Sequence, residues 1–459
     1  MRVLLISANT EQVPDPVYPI GAAAIGAAAR RAGHEVEGVD LCFARDAEER
    51  RKLVEGALED FGPEAIGISL RNLDNSAYPE NSSYIDDYRA LVSWLRDSSA
   101  APIVLGGAGF TVMPTTILEE LHADYGVVGE GEQAFPWLLE GIAAGGLRAS
   151  RDFYCQRVNG GVLVSAMERI RRLDAAGVPD RDLFDAPRYY ERGGCLNVQT
   201  KRGCCFDCVF CSYPLIEGSK VRMRSPQHVV DEIAVMHERF GARHVFFVDN
   251  IFNFPPAHAK RICTEIEDRG LPIEWSGYLN PKFVDEQLVE VMAASGCKGV
   301  EFGTDSGAPT MIANLHKEFD ADDLRRASRL CHRYGIKFAH SLIFGGPGET
   351  METVEQTLEL MEELRPTAVI AFTGIRVLPG TGMVEIALRD RQIDPDDNLL
   401  HPKFYVSQTL GDELVARIER HAATHSNWIV PGRGIRTNIE MLRKLRDKKI
   451  KGQLWRLLR

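Results

Sequence analysis

The sequence predicts an α/β protein built from two successive βα series, and three observations carry that expectation. Short β-branched runs alternate with helical stretches from the first residues onward. The rhythm breaks after about residue 147 and restarts near residue 195. At the restart stands "KRGCCFDCVFCSYP", residues 201 to 214, with Cys204, Cys205, Cys208 and Cys211 inside eight positions. At 459 residues the chain exceeds the usual single-domain size, and 44% hydrophobic content is ample for more than one core.

In the first series, "RVLLIS" reads as a strand, "IGAAAIGAAARRAG" as a helix stopped by Gly33, and "EVEGVD" as a second strand. "AIGISL", "PIVLGG" and "YGVVGEGE" supply three more, the last running into the helix "AFPWLLEGIAA". Strand–helix alternation of this kind gives a parallel, doubly wound sheet whose ligand crevice lies at the carboxyl ends of its strands. This unit is expected over 1–147, followed by a connector over 148–190 with a small hairpin at Asn159, Gly160 and Gly161.

The second series, expected over 191–400, has strand candidates "CLNVQT", "HVFFVDN", "IEWSGYL", "GVEFGT", "KFAHSLIFG" and "AVIAFTGI". Six βα units suit a partial, open (βα)6 barrel with its chemistry at the carboxyl ends of the strands. The cysteines follow the first of these strands directly. Residues 401–459 read as a small helical cap. Its basic stretch "RKLRDKKIKGQLWRLLR" reads as a solvated amphipathic helix rather than a phosphate or membrane contact.

A net charge of -11 argues against general nucleic-acid binding, which needs clustered Lys and Arg. No apolar run approaches a membrane span, and "MRVLLIS" turns polar too soon for a signal peptide. Ten cysteines without a secretion signal point to a reducing, cytoplasmic setting.

Three readings compete for the cysteine group. Structural zinc wants two separated ligand pairs, and no second pair or nearby histidine is present. A thiol–disulfide pair is offered by Cys205/Cys208 or Cys208/Cys211, but on the wrong kind of fold. Cys204, Cys208 and Cys211 as CxxxCxxC could instead hold an iron–sulfur cluster, three thiolates leaving one iron open for reaction.

At this point the chain resembles the radical S-adenosylmethionine (SAM) enzymes, and more narrowly their subgroup with an N-terminal, Rossmann-like cobalamin-binding domain. The resemblance covers roughly residues 1 to 400. It rests on "TKRGCCFDCVFCSYPLIEG" together with "FFVDNIFN", "GVEFGTDSG", "LIFGGPGET" and "VLPGTGM" in order. It implies a [4Fe-4S] cluster on Cys204, Cys208 and Cys211, with SAM on the open iron and the hard chemistry left to the cofactors. Cys205 departs from the usual pattern; it is a packing residue or a thiol that acts on substrate. Phe206 and Phe210 would shield the cluster.

By the same resemblance, Asp249 and Asn250 approach the SAM amino group, although the usual Gly-Gly-Glu triplet is missing; the bland reading is a strand-to-helix cap. Glu301 and Asp305, four apart on a strand and so on one face, are expected to accept from the ribose, with Ser306 assisting. Arg222 and Arg224 are SAM-carboxylate partners or surface charges. In the first domain, Gly106, Gly107 and Gly109, with Gly129 and Glu130, would let the backbone approach a corrin. The DxHxxG motif is absent, and His34 and His122 do not fit its spacing. The competing reading is a domain that has lost its cofactor and shapes the substrate pocket. Arg71 and Asp74 could hold a charged substrate or pair with each other.

The expected function is a cobalamin-dependent radical SAM enzyme that methylates or rearranges a small-molecule precursor in specialised metabolism, fed by an external one-electron reductant of flavodoxin or ferredoxin type. The alternative reaction is transfer of the 3-amino-3-carboxypropyl group of SAM to nitrogen, carbon or a metalloid such as arsenic, which the spare Cys205 thiol motivates. A non-enzymatic iron–sulfur or cobalamin sensor is the alternative of another class.

Overall fold

The computed structural model describes residues 1–411, 413–431 and 439–458, and holds two seven-stranded sheets. The first comprises β1 (Arg2–Ser7), β2 (Glu35–Asp40), β3 (Ala65–Ser69), β4 (Ile103–Gly106), β5 (Tyr125–Val128), β6 (Phe153–Val158) and β7 (Gly161–Ala166). Their order is β2-β1-β3-β4-β5-β7-β6. The chain winds outward from β1 to β2, then crosses back to β3, so the switch point of the sheet lies between β1 and β3.

The hairpin β6–β7 is not a detached connector feature. β7 lies parallel on β5, and β6 closes the edge antiparallel, so the sheet runs on past residue 147 to Ala166. Without it the β5 edge would present unpaired N–H and C=O groups. The new edge, "FYCQRV", is largely exposed and carries Gln156 and Arg157, polar groups that discourage further pairing.

The second sheet begins with β8 (Leu196–Val198). Two-residue strands β9 (Lys201–Arg202) and β10 (Arg222–Met223) pair antiparallel and close off the cysteine loop at its base. Then come β11 (His244–Phe247), β12 (Glu274–Leu279), β13 (Cys297–Asp305), β14 (Lys337–Phe344) and β15 (Ala368–Thr373). These pair in sequence with β8 in parallel register, which is the open six-strand barrel. After the short pair β16 (Ile375–Arg376) and β17 (Phe404–Tyr405), a seventh strand, β18 (Trp428–Ile429), adds to β15. The region expected to be a helical cap therefore also extends the sheet; two residues are too few to show alternation. β13 is interrupted: its register on β14 shifts between Gly303 and Asp305, and Asp305 takes φ 61°.

The two halves share apolar interior. Val3, Leu5 and Tyr18 belong to the same buried cluster as Val198, Phe247 and Trp275. Buried ion pairs also cross between them. Asp74 meets Arg376 at 2.9 Å, and Glu130 meets Arg222 at 2.5 Å. The basic stretch exposes Arg443, Lys444, Lys448 and Lys449 as a solvated amphipathic helix does, and packs its other face. Arg446 is buried against Asp15 through two bonds of 2.6 and 2.8 Å, because a helix over Ile439–Asp447 lies on the first domain. Trp455 packs on Ala339 and Ala368 and donates to Glu301 at 2.7 Å, flooring the barrel from below. No helix among the described residues is long and apolar enough to cross a membrane.

Candidate functional site

The cysteine loop is fixed by its backbone, which leaves its thiols uncommitted. Gly203 turns into the loop at φ 90°, where a Cβ would stand 2.2 Å from the Lys220 carbonyl, so only glycine fits. The Cys204 amide donates to the Gly218 carbonyl at 3.0 Å, and the Val209 amide to Leu315 at 3.3 Å. Glu217 accepts from the Gly203 amide at 3.0 Å, from Gln199 at 2.7 Å and from Asn250 at 3.3 Å, joining both ends of the loop.

None of the ten cysteines forms a disulfide. Burial pushes the Cys204, Cys208 and Cys211 thiols up, Cys211 to about 11. The Cys211 thiol feels both other thiols, so the three stand together. Cys205 points outward and is exposed. With Cys204 it lines a small cavity shared with Lys201, Phe206, Asn250 and Phe254. Phe206 packs edge-on against Phe254 at 5.2 Å, and Phe254 against Phe283 at 4.8 Å, an apolar wall beside the thiols.

Lys317 was not legible as a site residue. Its ammonium is buried, lies 2.5 Å from Asp305 and sits 5.8 Å above the Phe210 ring. Burial opposes its charge, but Asp305 and Cys208 outweigh that and hold its proton above the ordinary lysine range. Soft thiolates in a half-buried loop, a cation against their charge and an aromatic wall suit a [4Fe-4S] cluster.

The other expected ligands fare unevenly. Asp305 is brought to the thiols through Lys317. Asn250 keeps a buried carbonyl oxygen without a partner beside the cavity. Asp249 is spent inward: its carboxylate accepts the Thr200 and Lys201 amides at 2.7 and 3.2 Å, and Lys201 Nζ lies 3.5 Å away. It fixes the strand leading into the loop rather than facing a ligand.

Glu301 and Asp305 do not share one acceptor face, because the β13 irregularity breaks the alternation between them. Glu301 takes the Trp455 indole, and burial raises it to about 7. Ser306 is buried and bonded to Thr357 at 3.0 Å, holding a turn. Arg224 pairs with Glu232 at 2.6 Å inside the structure, so neither it nor Arg222 is a free surface charge.

In the first domain, the expected glycine cradle is filled by the chain itself. The Gly109 amide donates to Leu70 at 3.0 Å, and a Cβ on Gly107 would meet the Leu70 carbonyl at 2.6 Å. The Gly129 amide donates to Thr111 at 3.0 Å; Gly106 has looser surroundings. Glu130 is clamped by Arg222 and the Ile170 amide. Asp74 pairs with Arg376 rather than with Arg71.

Arg71 remains exposed at the carboxyl end of β3, and its charge is felt by Tyr213 and Tyr278 of the barrel. Tyr213 and Leu215, on the helix Tyr213–Glu217 that follows the cysteine loop, and Tyr278 of β12 are exposed large side chains. An exposed aromatic face within reach of Arg71, at the carboxyl end of β3, suits a large planar cofactor and a small organic substrate. The loops after β1, β3, β4 and β5 (8–19, 70–84, 107–113 and 129–131) contain no histidine, so a corrin there would have no imidazole ligand from them.

Comparison with known proteins agrees with this geometry. Residues 198–361 match the radical SAM superfamily, and residues 6–139 match the B12 binding domain. A tryptophan 2-C-methyltransferase of Streptomyces laurentii is 27% identical over 82% of this chain and 73% of its own. A cytidylyl-2-hydroxyethylphosphonate methyltransferase of Streptomyces wedmorensis is 24% identical, covering 87% and 84%. Among solved structures, the radical SAM methyltransferase TsrM from Kitasatospora setae, with tryptophan and a SAM analogue bound, superposes with a TM-score of 0.87. It is 26% identical and covers 99% of this chain and 97% of that one. TsrM has also been solved with cobalamin and a [4Fe-4S] cluster bound.

Proposed function

We propose, from the premise that the chain belongs to the radical SAM superfamily and carries an N-terminal B12-binding domain, that it is a cobalamin-dependent methyltransferase acting on a small organic acceptor. One observation carries the reading most: three adjacent, undisulfided thiols stand together directly after the first barrel strand, in a chain whose first sheet has an open β1/β3 switch point. When bound, the cluster and cobalamin supply a seat for SAM, electron transfer and a methyl carrier.

The rest falls to the residues of the chain. Cys204, Cys208 and Cys211 hold the cluster, and Glu217 and Gly203 hold their loop in shape. Phe206, Phe254 and Phe283 keep water from one side of it. The free carbonyl of Asn250 is an acceptor for the SAM ammonium, and Asp305, tied to Lys317, is the nearer of the two ribose candidates. Arg71 facing Tyr213 and Tyr278 suits an acceptor with an acidic group and a flat apolar part. A low-potential protein such as a flavodoxin or ferredoxin provides electrons in a reducing compartment.

The test is anaerobic incubation of the reconstituted chain with SAM, a reductant and a panel of aromatic and heteroaromatic acids. Cobalamin-dependent formation of S-adenosylhomocysteine with a methylated acceptor is expected. The exposed Cys205 thiol keeps aminocarboxypropyl transfer as a second reading. 5′-Methylthioadenosine as the nucleoside product would establish that reaction and exclude methylation.

A further inference from the structure

On the outside of the barrel, the helix Met351–Leu364 and the helix Glu413–Thr424 pack side by side over a seam that includes Met361, Leu414 and Ile418. Where this seam reaches the surface, Glu362 of the first helix faces His421 of the second and His425, the residue just past its end. One ligand atom from each lies within 4.8 Å of the other two. His421 and His425 are four apart across the end of the helix, and their rings stack, centroids 3.9 Å apart and nearly parallel. None of these residues approaches the cysteine loop in any contact described above.

The hydrogen bonds determine what the imidazoles present. His425 Nδ1 lies 2.8 Å from the His421 carbonyl, so it donates there and carries the ring hydrogen. In the neutral ring its Nε2 is then the lone pair, and it stands 3.5 Å from Glu362 Oε1. A lone pair opposite a carboxylate oxygen calls for a cation between them. His421 is 93% buried by its 7% exposure, braced edge-on by Trp428 at 4.5 Å, and its Nε2 has no hydrogen-bond partner. Metal-bound histidines characteristically donate their second ring nitrogen to a backbone carbonyl, as His425 does.

We propose that Glu362, His421 and His425 form a second metal site, a two-histidine, one-carboxylate site for a divalent zinc-class ion, with water completing the coordination. Two imidazoles and a carboxylate suit zinc. The ion would clip the segment 413–431, which contributes β18, to the body of the barrel.

The test uses full-length, cluster-reconstituted protein dialysed anaerobically against buffered free Zn2+ at low micromolar concentration. One zinc per chain beyond the cluster iron is expected, with X-ray absorption showing nitrogen and oxygen neighbours and no sulfur. Glu362→Gln and His425→Gln, both at partly exposed positions, should each weaken zinc binding about tenfold or more while iron content stays unchanged. The thermal midpoint of the parent should rise by about 2–4 °C with saturating zinc, and that of the variants should not. Absence of zinc uptake, sulfur in the zinc shell, or uptake indifferent to both substitutions would overturn the proposal.

Discussion

The Lys317 ammonium stands against thiols that carry negative charge when they hold iron. Reduction adds one more negative charge to a cluster, so a nearby cation favours the reduced form. Lys317→Met should therefore lower the cluster potential by tens of millivolts, roughly, read by anaerobic redox titration. The change also strands the buried Asp305 carboxylate, so the double variant Lys317→Met/Asp305→Asn, which removes both charges, should shift the potential less than the single one. At the neighbouring thiols, Cys204→Ala, Cys208→Ala and Cys211→Ala should each lose the iron and the visible absorption. Cys205→Ala should keep both; equal iron loss there would mean a different ligand set.

Glu301 is a residue-scale case with a pH signature. Its folded value of about 7 against an ordinary 4.5 means that the folded chain holds a proton the unfolded chain has already released. The stability it confers is full below about pH 4.5, declines as pH rises toward 7, and is flat above. Glu301→Gln removes that decline. At pH 8 the variant should be more stable, by up to roughly 3 kcal/mol, with little difference at pH 5, as read from denaturant midpoints. A variant less stable than the parent at pH 8 would show that Trp455 favours the carboxylate more than burial penalises it.

At the scale of elements, the loop after β3 and the pair β16–β17 meet through Asp74 and Arg376, both almost fully buried. Arg376 also donates to the Val377 and Leu399 carbonyls at 2.6 and 2.8 Å, so one guanidinium ties three segments. Removing one partner of such a pair leaves an uncompensated buried charge. Arg376→Met should cost about 3–5 kcal/mol, seen as a lower unfolding midpoint and faster proteolysis between the halves. Asp74→Asn with Arg376→Met should recover part of that loss.

For the molecule as a whole, what the sequence displays is what local chemistry determines. The β-branched runs of β1, β3, β11 and β14, and CxxxCxxC after β8, are visible because each depends on neighbours in the chain. Pairing across hundreds of residues leaves no such mark. Asp74 shows nothing of Arg376, nor Asp305 of Lys317. Asp249 misleads for a physical reason: a carboxylate at a strand end looks the same whether it faces a ligand or anchors the next turn. The β13 irregularity at Gly303–Asp305 undid the shared face of Glu301 and Asp305, because period-2 reasoning holds only while the pleat is unbroken. The hairpin β6–β7 was seen but misplaced, since its partner β5 is identified by geometry and not by sequence.

The Trp455 floor has a consequence in time. Glu301 is made 154 residues before the indole that covers it. At about 5–20 residues per second, the barrel strand spends roughly ten seconds or more on a growing chain with its base open to water. Through that interval Glu301 ionises like any carboxylate, and the barrel is a hydrated trough. It becomes a sealed vessel with a proton held near neutrality only when residues 451–458 swing beneath it. A chain stopped at residue 450 should thus fold its strands yet lose the stability decline between pH 4.5 and 7, a comparison that denaturant titration at those two pH values would make.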